Sequence, residues 1–380
     1  MQRTELSSKP RVLVISGSVG AGHDGAAAEL VARLRGLGIT VNQRDYLDAL
    51  PRRYGFLLRK GYSGTVNYLP YAFDWVFRNL EGTSWVRRLA DRLCGLAKRK
   101  VLDWSNHAEV VVSTYPLASQ TLGQLKMAGQ MDATLVTFLT DPSVHHTWVH
   151  PAVDMHLTVT EATAVMGQRC YGTTMLPVGG LVPARFAATV PLARRNALRA
   201  ELGLSPDGAV VLVVAGSLGL GDVPRTVRAI QSGGSSEVLV LCGRNERLRR
   251  RLERYSGVVA LGWRDDVAEL MAAADLLVHN AGGLSVTEAL TAGLPVVTFR
   301  PISGHGQANA AVLEQAGLAP WPRDETQLTA EISRCLARER RDASSVHRIP
   351  DAARVVSSLL APTSSAARSD PADAVRPQSA

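Results

Sequence analysis

The chain has 380 residues, 46% hydrophobic and 20% charged, enough to bury a large core and long enough for two domains. Its polar first ten residues lack the apolar core of a secretion signal, and no run of about 18 apolar residues is present to span a membrane. The formal charge of +8 is concentrated: between Pro51 and Lys100, eleven Arg or Lys stand against three acidic residues, together with nine of the twenty aromatics.

A basic, aromatic segment predicts contact with an anionic surface, either membrane or nucleic acid. No RNA-binding motif accompanies the charge, which argues against nucleic acid. Cys94, Cys170, Cys242 and Cys335 are far apart with no CxxC pair, so neither a zinc knuckle nor a disulfide framework is expected, and a reducing cytoplasm fits.

In chain order, Arg11–Ser16 (RVLVIS) is a short apolar β-rich run. It ends in the loop Gly17-Ser18-Val19-Gly20-Ala21-Gly22-His23, and Gly25–Leu34 then shows helical spacing. Further buried-strand candidates are Glu109–Ser113, Thr134–Leu139, Met155–Val159, Val210–Val214, Val238–Cys242, Val258–Leu261, Leu276–Val278 and Val296–Phe299. Apolar strands alternating with helices predict parallel sheets covered on both faces. The pattern restarts at Val210, so two α/β domains are expected to meet near Val178 to Pro191. Residues 361–380, rich in Ser, Pro and Ala, are expected to be a disordered tail.

Three loops carry the chemistry. In the first, glycines let backbone approach a ligand and the helix start favours negative charge. His23 at its end is either a candidate proton acceptor near neutral pH or a locally hydrogen-bonded helix residue. The second is Ala215-Gly216-Ser217-Leu218-Gly219-Leu220-Gly221, and the third Asn280-Ala281-Gly282-Gly283-Leu284-Ser285, which opens a helix carrying Glu288. Both follow strands at the end where an open α/β sheet binds ligand, and both suit a pyrophosphate. Glu288 could accept bonds from a ribose diol. No DxD occurs, so leaving-group charge is expected to fall on loop amides and helix dipoles, without a metal ion or other cofactor. The histidines between Asp141 and His150 lack an HExxH pattern and suit an active-site rim better than zinc.

Over residues 11–325, the order and spacing of these features resemble the monogalactosyldiacylglycerol synthase and processive diacylglycerol glucosyltransferase family, related to the peptidoglycan N-acetylglucosaminyltransferase that makes lipid II. The resemblance implies a GT-B fold: two Rossmann-like domains facing a cleft, acceptor in the first, UDP-sugar co-substrate in the second, and anomeric inversion. Gly20, Gly22 and His23 match the family's GxGH loop, with His23 the base. Thr140, Asp141, His145 and Trp148 match its TDxxxHxxW stretch at the acceptor cleft, where Asp141 or His145 would orient His23. Gly216, Ser217, Gly219 and Gly221 match the first phosphate loop. Trp263 and Arg264 fall at the uracil, and Gly282, Gly283, Leu284, Ser285 and Glu288 match the donor signature. One stretch departs: Gly304, His305, Gln307 and Asn309 lie in a segment aligning with PGQExxN, which puts His305 where a glutamine meets sugar hydroxyls and Gly306 where a glutamate stands.

The implied domains are 10–180 for the acceptor, with docking segment 51–100, and 181–345 for the donor, followed by a helix in 346–361 and the tail 362–380. The implied activity is transfer of a hexose to a lipid-like acceptor such as diacylglycerol, at the inner face of the cell membrane. Two rival readings share the plan: glycosylation of a secondary metabolite, and a UDP-N-acetylglucosamine 2-epimerase-like isomerase, which needs no lipid-docking surface.

Overall fold

The computed structural model describes residues 11–58, 85–234, 237–280, 282–337 and 349–361. The centre of the basic aromatic segment and the expected disordered tail lie outside these residues.

The first sheet has six parallel strands in the order β2-β1-β3-β4-β5-β6: β1 Val12–Ser16, β2 Val41–Asp45, β3 Val110–Ser113, β4 Thr134–Leu139, β5 Met155–Thr158 and β6 Leu176–Pro177. The period of two along β1 explains why the run reads as uniformly apolar. Val12 and Val14 face one buried cluster, with Leu30 and Leu34 of the helix Ala21–Gly36. Leu13 and Ile15 face another, with Leu122 and Leu125 of the helix Pro116–Met127. Both faces are covered, as a parallel sheet requires.

The second sheet is also parallel, in the order β11-β10-β7-β8-β9: β7 Val210–Val214, β8 Glu237–Leu241, β9 Val258–Leu261, β10 Leu276–His279 and β11 Val296–Thr298. Val211 and Val213 pack to one side, Val210, Leu212 and Val214 to the other. All nine strand candidates are strands. The sequence reading missed β2, whose VNQRD is an edge with three exposed residues, and the two-residue β6.

The chain then returns to its start. The helix Ala352–Ser358 buries Ala352, Ala353 and Val356 in the same cluster as Ala26 and Leu30 of the first helix. Asp351 caps it, and Arg33 donates to Asp351 at 2.7 Å and to the Val182 carbonyl at 2.6 Å. The last helix therefore belongs to the first unit's core and ties the crossover segment to it.

Order reversal places a crevice in each sheet at the carboxyl ends of the strands, between β1 and β3 in the first and between β7 and β10 in the second. The glycine loops sit at these two crevices, and the two crevices face each other.

Candidate active site

One cavity of about 670 Å³ lies between the units, and residues of both line it. The first unit contributes Gly20, Gly22, His23, Thr140, Asp141 and His145; the second contributes Gly216, Ser217, Gly282, Gly283, Leu284, Ser285 and His305. Three helices begin at or beside it, Ala21–Gly36, Gly283–Thr291 and His305–Gln315, with Gly20, Gly282 and Gly304 as N-caps. These are the glycine N-caps among the described helices, and none supplies a side-chain cap. Elsewhere Thr160, Asn245, Asp324 and Asp351 cap their helices, while the helices starting at Pro116, Leu192, Val223 and Val267 have no side-chain cap but also no glycine at the N-cap. Uncapped N–H groups at a helix start are free for an anion.

His23 sits in the first turn of its helix. Its Nδ1 lies 2.9 Å from Thr140 Oγ1, and its ring packs between Tyr115 and Trp148, with centroids 5.3 and 5.9 Å away. The Thr114 hydroxyl donates to the His23 carbonyl at 3.2 Å. Burial lowers the His23 pKa, while the charges of Asp141 and Asp24 pull it back up. Desolvation likewise pushes His145 down to about 4, and lowers His305, in both cases against Asp141. The imidazoles at the cavity are thus neutral around one carboxylate. A neutral imidazole can take a proton, and the carboxylate then stabilises the cation. Thr140 is the hydrogen-bond partner of the His23 ring. Asp141 acts through charge, and His145 Nδ1 pairs with Thr147 Oγ1 at 2.6 Å.

Trp148, expected at the acceptor cleft, is fully buried with its ring against His23 and His145 and lies outside the cavity lining. Asn309 is buried outside the cavity lining, and its Oδ1 accepts from Ser143 N at 2.9 Å and Ser143 Oγ at 2.5 Å, bridging the two units. Gln307 is exposed and outside the lining.

Gly219 and Gly221 serve the loop itself, at φ of 59° and 89°. Asn245 Nδ2 donates to the Gly219 carbonyl at 3.1 Å and Asn280 Nδ2 to the Leu220 carbonyl at 2.6 Å. A side chain at either glycine would run into those amides. Asn245 and Asn280 were not foreseen as site residues; the Asn preceding Ala-Gly-Gly was the available signal for the second.

Trp263 lies at the outer edge of the second sheet, 45% exposed, with the Arg244 guanidinium 4.5 Å from its ring centre. Arg264 is paired with Asp266. Glu288 lies outside the cavity lining, and burial pushes its carboxyl up to about 7, opposed by the charge of Arg185. Among the described residues, no three His, Cys, Asp or Glu are grouped to hold a metal ion.

The remaining wall is apolar: Leu57, Leu58, Leu89, Leu93 and Leu117. Leu57 and Leu89 are also exposed, beside Phe56 and Leu96, so the apolar wall runs out to the surface at the basic segment.

Residues 23–170 match the family described as monogalactosyldiacylglycerol (MGDG) synthase, and residues 211–338 match the glycosyl transferases group 1. The chain is a GT-B glycosyltransferase. A processive diacylglycerol beta-glucosyltransferase of Bacillus licheniformis is 24% identical over 361 residues, covering 88% of this chain and 89% of the relative. Among solved structures, MurG of Acinetobacter baumannii superposes with a TM-score of 0.56 at 15% identity, over 92% of this chain and 98% of that one. HepE of Anabaena, in complex with UDP-glucose, gives 0.54 at 15% identity, over 92% and 95%. The resemblance read from the sequence holds for this glycosyltransferase, as does the pair of Rossmann-like domains.

Proposed function

We propose that this glycosyltransferase moves a hexose from a UDP-sugar onto a hydroxyl of a lipid-like acceptor such as diacylglycerol, with inversion and without a metal ion. The observation that carries this reading is the two-sided cavity. One side presents uncapped helix starts and glycine loops, the other a neutral His23 beside an apolar wall open to the surface. The donor and acceptor classes also draw support from the relative that is a diacylglycerol glucosyltransferase and from HepE, whose structure contains UDP-glucose.

In the reaction, Nε2 of His23 takes the proton of the acceptor hydroxyl as its oxygen bonds to the anomeric carbon. The bond from that carbon to the β-phosphate oxygen breaks, and UDP leaves with the electron pair. Its charge falls on the N–H groups of loops 216–221 and 282–285 and on the helix starts, each helix dipole contributing about 0.3 to 1 kcal/mol, up to ~2 when partly buried. Glu288 binds the ribose, and Trp263 with Arg264 lies toward the uracil. His305 faces the sugar.

The basic segment docks the enzyme at the inner face of the cell membrane. Among the described residues no helix is long and apolar enough to cross a membrane, while the segment exposes Arg52, Arg53, Arg88 and Arg92 together with Phe56, Leu57 and Leu89.

Labelled UDP-glucose, UDP-galactose, UDP-N-acetylglucosamine and UDP-glucuronate, each incubated with extracted lipids, test the reading. Label in the lipid fraction in excess EDTA is expected, and His23→Ala should lower kcat by about 10² to 10⁴ with UDP affinity nearly unchanged. An isomerised donor without transfer, a strict requirement for added magnesium or manganese, or near-normal turnover by the variant would each refute the corresponding part.

A further inference from the structure

We propose that Thr140 is a positioning residue that fixes the tautomer of His23: its hydroxyl accepts a hydrogen bond from Nδ1–H, leaving the lone pair on Nε2, on the cavity side. This deepens the reading of His23 as base and rests on it.

The geometry has three parts. Thr140 Oγ1 and His23 Nδ1 are 2.9 Å apart, while Nε2 makes no hydrogen bond among the described residues of a side chain that lines the cavity. A neutral imidazole carries its proton on one nitrogen, and the partner of the other nitrogen selects which. A threonine hydroxyl could donate to Nδ1 or accept from it. Only acceptance is compatible with the whole cycle, because both nitrogens of the imidazolium formed after proton abstraction must donate. A hydroxyl that donated to Nδ1 would put the resting proton on Nε2 and disable the base.

The ring also cannot escape this partner. Tyr115 and Trp148 flank it on separate elements, and Thr114 holds the backbone of the same residue.

Thr140 is itself immobilised from the second unit. It follows β4, an interior strand of the first sheet, and its carbonyl oxygen lies so near Gly283 that a Cβ on Gly283 would come under 3.0 Å from it. The residue that sets the tautomer is therefore seated against the first residue of the helix proposed to hold the donor pyrophosphate. This backbone contact helps register base and donor to each other, alongside Leu284 against the His23 helix.

The experiment is nitrogen NMR of ¹⁵N-histidine-labelled enzyme near neutral pH, with His23 assigned by its absence in His23→Ala. The wild type is expected to show a protonated Nδ1 and an unprotonated Nε2. Thr140→Val, which keeps the shape and removes the hydroxyl, should shift His23 toward the Nε2–H form and lower kcat about 10- to 100-fold with little change in donor KM. It should also move the acid limb of kcat to lower pH, since the imidazolium loses an acceptor. Thr140→Ser should restore the tautomer and most of kcat. A wild-type His23 protonated on Nε2 overturns the proposal without any variant, and so does an unchanged tautomer in a folded Thr140→Val, in both cases independently of whether His23→Ala is inactive. A tautomer shift with undiminished kcat overturns the base reading along with the positioning role.

Discussion

Replacing Gly283 by alanine tests whether the active site exists only when the two units are pressed together. The added Cβ would lie under 3.0 Å from the Thr140 carbonyl oxygen and 3.4 Å from Pro142 Cδ. Carbon-to-oxygen contacts ordinarily settle at about 3.3 to 3.6 Å, so the overlap with the carbonyl approaches ~1 Å. The carbonyl is anchored one residue beyond β4, whose last residue Leu139 pairs with Thr158 of β5, so it has little room to retreat. The helix Gly283–Thr291 must back away instead, carrying the donor loop from His23. A displacement of about 1 Å between reacting groups costs on the order of 10²-fold in rate. Overpacking within a core costs roughly 1 to 3 kcal/mol, and relief by separating two units should cost less. Steady-state kinetics with thermal melting and UDP titration should therefore show kcat down about 100-fold, a melting temperature lowered by no more than ~4 °C, and UDP affinity changed only a few-fold. Gly20→Ala is the control: Gly20 has an extended φ of −175° and nothing within 4 Å of an added Cβ, so any effect must come through substrate. A folded Gly283→Ala enzyme with kcat within twofold of wild type would refute the reasoning.

Glu288→Ala should weaken UDP binding by about 1.5 to 3 kcal/mol in calorimetry. Because the carboxyl is held near 7 and must ionise to accept two ribose hydroxyls, wild-type affinity should rise from pH 6 to pH 8; a flat profile and an unaffected variant would remove the ribose assignment. Vesicle sedimentation should show strong binding to phosphatidylglycerol and weak binding to phosphatidylcholine, lost when Arg52, Arg53, Arg59 and Lys60 become Glu, at about 1 kcal/mol per basic residue; equal binding to both lipids would leave the segment as ordinary structure. Acid should destabilise the fold. Burial holds His145 and His156 at about 4 and His279 at about 3, against about 6.5 unfolded. Below about 6.5 the unfolded chain therefore binds more protons and stability falls with pH, by up to ~1.4 kcal/mol per unit for each histidine, until the folded values are reached. Glu288, with its pKa raised, opposes this in part, losing stability as pH rises toward 7. Urea midpoints unchanged between pH 7 and pH 5 would contradict the burial.

His305, the departure from the family pattern, lines the cavity from the first residue of its own helix, outside either sheet. Gly219 and Gly221 leave no room for a side chain, since Asn245 and Asn280 already fill the space beside them.

The amino-acid sequence by itself determined the two parallel sheets and the loops at their ends. Strands buried on both faces read as unbroken runs such as VLVIS and VVLVV, and the turns that follow need glycine, so both signals are local. β2 escaped because an edge strand with three exposed positions carries little apolar signal. Tertiary structure alone decided how the site works. His23 and Thr140 are 117 residues apart and Ser143 and Asn309 are 166 apart, and no local pattern records such pairings. Trp148 was expected at the acceptor cleft from its place in the TDxxxHxxW stretch, and packing buries it against two imidazoles. The altered proton affinities of His145, His279 and Glu288 are likewise invisible in sequence, because desolvation depends on which distant segments exclude water from a side chain.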